Sequence, residues 1–266
     1  MENPNTTILV IDVGNTNTVL GLYQGDSLRA LWRLATSREQ TADEYGVVIH
    51  NLFTLEKLSA SDISGIMIAS VVPPMNSVLA EMTRKYFKME ALFLGPGTRT
   101  GMAILVDTPQ EVGADRIADA VAAFEKYGGP CIVLDFGTAI TFDCVSPKGE
   151  YLGGVIMPGI GIAADALFHR TAKLPRVEFR EPDHVIGTNT ISNIQSGLFY
   201  GAVDAVDGML DRLCAVLGKQ TRVIATGGQA PLVAGASRYK PAIDSSLALD
   251  GLRIIYHRNQ SAPRRK

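Results

Sequence analysis

Apolar residues along the chain fall into short runs that end in glycine, proline or polar turn residues. Runs of this kind in the first part of the chain predict strands at 8–13, 18–24, 27–35, 66–72 and 91–94. Apolar residues at helical spacing predict helices at 41–55 and 75–87. The alternation of strands and helices indicates an α/β fold.

A further helix is predicted from the segment Thr108-Pro109-Gln110-Glu111, which has the form of a capping box with proline at the first helical position. Such a helix extends to Tyr127, and Gly128-Gly129-Pro130 ends it. The pattern leaves open whether Gly113 divides this helix into two pieces.

The pattern at the start of the chain returns 123 residues later. In both places an apolar strand ends at an aspartate, one residue and a glycine follow, and two more strands joined by a turn come next. Asp12 corresponds to Asp135, and Gly14 corresponds to Gly137. The repeat predicts an internal duplication, with a first lobe at 1–117 and a second lobe at 118–266.

Each Asp-x-Gly turn combines a carboxylate at a strand end, a glycine and nearby hydroxyl or amide side chains. These groups suit a phosphate held by backbone N–H groups with a metal ion close by. A third segment, 223–230, is an apolar strand that leads into Thr226-Gly227-Gly228. Its two glycines would let a nucleobase or ribose lie against the backbone, although a plain strand-to-helix turn has the same form.

Composition limits the classes of function. The 266 residues are 46% hydrophobic and carry a net charge of -2, so we expect a folded globular protein that binds neither nucleic acid nor a membrane surface. The three cysteines lack the spacing of metal ligands, and no apolar run reaches the roughly 20 residues of a membrane span. Because Met1 to Thr7 also lacks the positive region of a signal peptide, the expected location is the cytoplasm.

The turns and several further motifs resemble those of the type III pantothenate kinases, within the sugar kinase, heat-shock and actin-like ATPase superfamily. The shared motifs include Asp12-Val13-Gly14-Asn15-Thr16, Ser70-Val71-Val72-Pro73, Gly113-Ala114-Asp115-Arg116, Asp135-Phe136-Gly137-Thr138, Gly187-Thr188-Asn189-Thr190 and Ala225-Thr226-Gly227-Gly228. The Asp-Gly turns are common to the superfamily, whereas the Gly-Ala-Asp-Arg and Gly-Thr-Asn-Thr segments are specific to the family.

The resemblance implies two actin-like (ribonuclease H-like) lobes, each a mixed sheet flanked by helices, with a nucleotide cleft between them. It implies that ATP phosphorylates the primary hydroxyl of pantothenate, the first step of coenzyme A synthesis, and that the protein is a homodimer. For the dimer the sequence offers only the apolar stretch 198–203, which can equally be a core helix.

The family pattern also implies site residues. The ATP phosphates would lie along Asp12, Val13, Gly14, Asn15, Thr16, Asn17, Thr18 and Val19, and Thr138 would also contact ATP. Asp12 would lie near Mg²⁺, and Asp135 would bind a monovalent cation, K⁺ or NH₄⁺. Pantothenate would meet Gly113, Ala114, Asp115, Arg116 and Thr190, with Asp115 as the catalytic base. Val106 departs from the pattern, because many family members carry an aromatic residue there that contacts pantothenate.

Other functions compete with this interpretation. The segment 159–164 matches the G-x-G-x-x-A form of a dinucleotide-binding oxidoreductase, although Pro158 precedes it. No P-loop motif occurs in the chain. A different kinase or phosphatase of the superfamily would keep both Asp-Gly turns, and a nucleotide-bound regulator would have no need of a catalytic base such as Asp115.

Overall fold

The computed structural model describes residues 6–260, so the outermost residues of both predicted lobes, 1–5 and 261–266, lie outside the described residues. The strands are β1 (Thr7–Val13), β2 (Asn17–Gln24), β3 (Ser27–Ala35), β4 (Gly65–Ser70), β5 (Leu92–Phe93), β6 (Cys131–Phe136), β7 (Ala139–Val145), β8 (Tyr151–Pro158), β9 (Arg222–Thr226) and β10 (Ala242–Ile243). The helices are α1 (Ala42–Leu55), α2 (Pro73–Met82), α3 (Ala114–Tyr127), α4 (Ile160–Arg170), α5 (Thr190–Leu217), α6 (Ala230–Ala236) and α7 (Leu247–Gln260).

The strands form two five-stranded mixed sheets of the same topology. The first sheet has the order β3-β2-β1-β4-β5, and the second has the order β8-β7-β6-β9-β10. In each sheet the first three strands along the chain pair antiparallel, and the remaining two are parallel to the central strand. The predicted fold class, with two duplicated lobes of mixed sheets and helices, is confirmed.

Alternation of side chains along the strands builds the two cores. In the first sheet Leu9, Ile11 and Val13 project into a cluster that includes Tyr45 of α1 and Leu79 of α2. In the second sheet the strand β6 contributes to a cluster with α5 and α6, whose members include Ile132, Leu134, Phe199, Val206 and Val233. The stretch 198–203 therefore belongs to a core helix, because Leu198, Phe199 and Val203 are buried in this cluster.

The last helix, α7, belongs with the first sheet. Residues 6–102, 107–122 and 247–260 form one compact unit, and 103–106 with 123–246 form the other. On the first unit, the hydroxyl of Tyr23 donates to Asp250 of α7 at 2.6 Å. An ideal Cβ at Gly65 of β4 would lie 1.7 Å from the hydroxyl oxygen of Tyr256, so glycine leaves room for this helix on the sheet. This partition differs from the expected boundary at 117/118, which assigned 118–266 to the second lobe.

The predicted helix from 109 to 127 is two separate elements. A single 3₁₀ turn covers Pro109–Glu111, Val112 is extended, and α3 begins at Ala114. Thr108 makes no side-chain capping hydrogen bond, so the capping-box interpretation of this segment is wrong. The break before α3 places Asp115 in the first turn of that helix.

Candidate functional site

The first Asp-Gly turn joins β1 to β2. Val13 pairs with Thr18, and the four residues 14–17 form the turn between them. The turn is closed by a hydrogen bond of 2.9 Å from the N–H of Gly14 to the carbonyl oxygen of Asn17. Asp12, at the end of β1, is half-buried, whereas residues 15 and 16 are exposed. A carboxylate is thus held beside a solvent-facing loop.

Thr36, directly after β3, makes several hydrogen bonds to this turn. Its hydroxyl donates to the carbonyl oxygen of Gly14 at 2.8 Å and lies 2.9 Å from the hydroxyl oxygen of Thr18. Its backbone N–H donates to the carbonyl oxygen of Thr16 at 3.0 Å. The sequence analysis missed this residue, because only the pairing of β2 with β3 brings it to the turn.

The segment Gly113–Arg116 lies at the same edge of the first sheet as the turn. The backbone N–H of Val71, next after β4, donates to the carbonyl oxygen of Val13 at 3.0 Å. An ideal Cβ at Gly113 would lie 3.5 Å from Cγ1 of Val71. The start of α3 therefore lies next to the end of β4 in space, and β4 is the parallel neighbour of β1.

Asp115 has the environment of a candidate base. It is half-buried, and its Oδ1 accepts the backbone N–H of Arg116 at 2.8 Å. Burial raises the pKa of the Asp115 carboxyl, and the N–H and the charge of Arg116 offset part of that rise. A raised pKa brings a carboxylate closer to the range in which it can accept a proton from a hydroxyl.

The second Asp-Gly turn, between β6 and β7, is shorter. Phe136 pairs with Ile140, so only the three residues 137–139 lie between the paired positions. The N–H of Gly137 donates to the carbonyl oxygen of Ala139 at 3.0 Å. Gly159, directly after β8, packs against this turn, since an ideal Cβ there would lie 2.1 Å from the carbonyl oxygen of Thr138.

The two glycines after β9 have different surroundings. Thr226 pairs with Asp135, and Gly227 follows at a φ of +90°. An ideal Cβ at Gly227 would lie 2.3 Å from Oδ1 of Asp135, so this glycine leaves room for the carboxylate. A Cβ at Gly228 would have no protein atom within 4 Å. Only Gly228 therefore offers open backbone surface of the kind expected for a flat ligand.

Asp143, on β7, has a structural environment. It is fully buried, and it accepts the hydroxyl of Tyr151 at 2.6 Å and the hydroxyl of Thr141 at 3.3 Å. A buried carboxylate with two hydroxyl donors is stabilised within the sheet. We therefore assign Asp143 a structural role in the second sheet.

The remaining predicted residues lie on the second unit. Thr190 is the exposed first residue of α5, whose N-cap Asn189 accepts the backbone N–H of Ser192 at 2.9 Å. Val106 packs on β8, because an ideal Cβ at Gly153 would lie 3.6 Å from its Cγ1. Thr190 belongs to the second unit and Gly113–Arg116 belong to the first, so no contact inside a single unit joins them.

The structure also bears on the competing functions. The segment 159–164 begins α4 after β8, which pairs only antiparallel with β7 among the described strands, so it is not the strand-helix-strand unit of a dinucleotide site. Residues 6–260 contain no group of three or more His, Cys, Asp and Glu arranged to hold a metal ion. In the same range no helix is both long and apolar enough to cross a bilayer.

Comparison with known proteins identifies relatives that cover nearly the whole chain. A family model described as type III pantothenate kinase matches residues 8–212. The type III pantothenate kinase of Koribacter versatilis is 53% identical over 97% of this chain and 98% of its own length. That of Halalkalibacterium halodurans is 54% identical over 95% of this chain and 99% of its own length.

Solved structures at lower identity share the fold. A conserved Baf family protein from Campylobacter jejuni, proposed to be a transcriptional activator, has a TM-score of 0.60 at 20% identity over 96% of this chain and 100% of its own. Component A of (R)-2-hydroxyglutaryl-CoA dehydratase from Acidaminococcus fermentans has a TM-score of 0.55 at 14% identity, over 94% of this chain and 97% of its own.

Proposed function

The chain belongs to the type III pantothenate kinase family, and on this premise we propose how its residues divide the work of the reaction. The family uses ATP to phosphorylate pantothenate in coenzyme A biosynthesis. Phosphoryl transfer needs three things from a protein: a rigid site for the phosphates, neutralisation of their charge, and a group that accepts the proton of the attacking hydroxyl.

We assign the ATP phosphates to the first turn, Asp12 to Val19. One observation carries the assignment: the turn and the first turn of α3 lie at the same edge of one sheet, connected by the Val13–Val71 hydrogen bond and the Val71–Gly113 contact. The backbone of an exposed turn can approach phosphate oxygens closely, and its N–H groups can donate to them.

Asp115 acts as the general base in this proposal. The acceptor hydroxyl must lose its proton as the bond to phosphorus forms, and the half-buried carboxylate, with its raised pKa, accepts it. The neighbouring Arg116 binds the pantothenate carboxylate, for which a guanidinium offers two parallel donors. Gly113, Ala114 and Thr190 complete the pantothenate contacts. The acceptor oxygen attacks the γ-phosphorus of ATP in line, the bond from that phosphorus to the β–γ bridging oxygen breaks, and ADP leaves.

Asp135 binds the monovalent cation, K⁺ or NH₄⁺, and Thr138 contacts ATP. The donor set fits a hard cation, because the carboxylate of Asp135 lies beside the backbone of Phe136, and Gly137 and Thr138 are exposed. Asp12 fits Mg²⁺ in the same way, since Mg²⁺ sites use one or two carboxylates together with substrate phosphates. Both cations, when bound, supply positive charge against the phosphates.

We also infer a homodimer, as the family resemblance implies. Leu152 and Ile156 of the edge strand β8 are exposed at 40% and 64%, which leaves apolar side chains for a partner to cover. Light scattering at micromolar concentration should give twice the mass of 28.5 kDa. A monomer mass would remove this part of the proposal.

A coupled assay of ADP formation tests the proposal as a whole. With Mg²⁺ and ATP, we expect turnover that requires pantothenate, that glucose does not replace, and that is faster in K⁺ or NH₄⁺ than in Na⁺. Equal rates in the three salts would contradict the cation assignment. Turnover with glucose but not with pantothenate would contradict the acceptor.

A further inference from the structure

We infer that Thr36 is a positioning residue for the ATP-phosphate turn. Its hydroxyl and its backbone N–H hold residues 14–18 in the conformation that binds phosphate. The inference depends on the proposed assignment of Asp12 to Val19 to ATP, and it adds a residue outside that segment.

The bonding pattern assigns a direction to each hydrogen bond. Thr36 has one hydroxyl proton, and it is donated to the carbonyl oxygen of Gly14 at 2.8 Å. In the contact of 2.9 Å with Thr18, the hydroxyl of Thr18 must therefore be the donor and that of Thr36 the acceptor. The Thr18 side chain is 1% exposed, so its hydroxyl serves Thr36 and contributes to phosphate binding only through it.

These bonds fix the direction of peptide groups in the turn. The carbonyl oxygens of Gly14 and Thr16 both accept from Thr36. In a planar trans peptide the carbonyl of one residue and the N–H of the next point in opposite directions. The N–H groups of Asn15 and Asn17 are therefore directed away from Thr36. Donors fixed in this way bind an anion without the entropy loss of ordering a loop.

The second unit shows that the duplicated fold does not require this threonine. The residue 123 positions later, also directly after the third strand of its sheet, is Gly159. It meets the second turn by close backbone contact and has no hydroxyl to donate. The same strand order forms in both units. The topology therefore does not require a hydroxyl at this position, and the hydroxyl of Thr36 serves the first turn alone.

The test compares Thr36→Val, Thr36→Cys and Thr36→Ser with the wild-type protein. Valine keeps the branched shape without the hydroxyl, cysteine keeps a weak donor, and serine keeps the hydroxyl. We expect Thr36→Val to raise the KM for ATP roughly tenfold and Thr36→Ser to stay within about twofold of wild type, because two side-chain hydrogen bonds are lost in the first and kept in the second. Thr36→Cys should fall between them, and the KM for pantothenate should stay nearly constant in all three.

Thr54→Val is the matched control, because Thr54 is exposed on α1 and its hydroxyl donates only locally, to the carbonyl oxygen of His50 at 2.9 Å. It should have the wild-type KM for ATP. A merely structural role for Thr36 would raise both KM values together and lower the unfolding temperature, without rescue by serine, and would overturn the inference. If Thr36→Val does not fold, Thr36→Cys takes its place. A KM for ATP in Thr36→Cys equal to that of Thr36→Ser would then overturn the inference.

Asp12→Asn separates this inference from the proposed function. If Asp12→Asn leaves ATP binding unchanged in calorimetry, the first turn is not the phosphate site, and both fail together. If Asp12→Asn weakens ATP binding while Thr36→Val has the wild-type KM for ATP, the inference on Thr36 alone is wrong.

Discussion

The two Asp-Gly turns occupy equivalent places in two sheets of the same strand order, yet they are supported differently. The first has four residues between its paired positions and is held by hydroxyl and backbone hydrogen bonds from Thr36. The second has three and packs directly against Gly159. One scaffold thus supports a longer turn through specific donors and a shorter turn through close backbone contact.

The neighbouring parallel strand differs as well. Beside the first turn, β4 ends at Ser70, whose hydroxyl accepts the N–H of Val72 at 3.2 Å. Beside the second, β9 is followed by Gly227, and the carboxylate of Asp135 occupies the space that a side chain would need. The position after the neighbouring parallel strand therefore carries a side chain beside the first turn, whereas beside the second it is a glycine that leaves room for the carboxylate of Asp135. This difference fits the proposed roles in phosphate binding and cation binding.

The largest effect is expected from removing the proposed base, Asp115, which lies in the first unit. Asp115→Asn keeps the shape of the side chain but removes the base, so kcat should fall by a factor of roughly 10² to 10⁴. ATP binding measured by calorimetry should stay near wild type. Asp204→Asn, an exposed carboxylate on α5, is the control and should keep full activity. A wild-type rate for Asp115→Asn would mean that the base lies elsewhere.

A smaller effect is expected at the second turn. Asp135→Asn removes a charge that faces the proposed cation, and kcat/KM for ATP in K⁺ should fall roughly tenfold to a hundredfold. The variant should also lose the preference for K⁺ over Na⁺. Asp165→Asn, which removes one side of the exposed ion pair with Arg176, should keep the wild-type kcat/KM for ATP and the preference for K⁺ over Na⁺. An unchanged response to the two salts in Asp135→Asn would contradict the proposed difference between the turns.

Alanine substitutions at two neighbouring glycines, Gly227 and Gly228, test the close contact between Gly227 and the carboxylate of Asp135. Gly227→Ala should lower the free energy of unfolding by about 1–3 kcal/mol, because the new Cβ meets the carboxylate and the backbone must shift. Its φ of +90° adds strain for any L side chain. Gly228→Ala is the matched control, with open space at its Cβ, and urea unfolding should show nearly wild-type stability. Equal stabilities of the two variants would refute this account of Gly227.

The smallest effect is a dependence of stability on pH. Since burial raises the folded-state pKa of Asp115, the folded protein holds that proton more tightly than the unfolded chain does. The stability contributed by this group is present below its unfolded pKa and is lost as pH rises through the folded pKa. Asp115→Asn should therefore unfold a few degrees higher than wild type at pH 7. The gap should narrow towards pH 4, and a constant gap in calorimetric scans would contradict the proposed cause.

The sequence by itself determined the strands of the first sheet, the duplication and the segments proposed for the site. An apolar run that ends in Asp-x-Gly needs only local information, because glycine and polar turn residues end a strand wherever it lies. The repeat at 123 residues then predicted two sheets of one topology, as the structure confirms. The family motifs selected Gly113–Arg116, and the structure places that segment at the edge where β1 ends.

Tertiary structure decided everything that depends on contacts between distant parts of the chain. The association of α7 with the first sheet follows from Tyr256 packing against Gly65, which are far apart in sequence. The pattern around Gly113 leaves the break before α3 open, and the different surroundings of Gly227 and Gly228 have no local signal. Thr36 looks like any polar residue after a strand until β3 pairs with β2 and sets its register. A hydrogen bond between remote residues depends on that register, which the completed sheet alone defines.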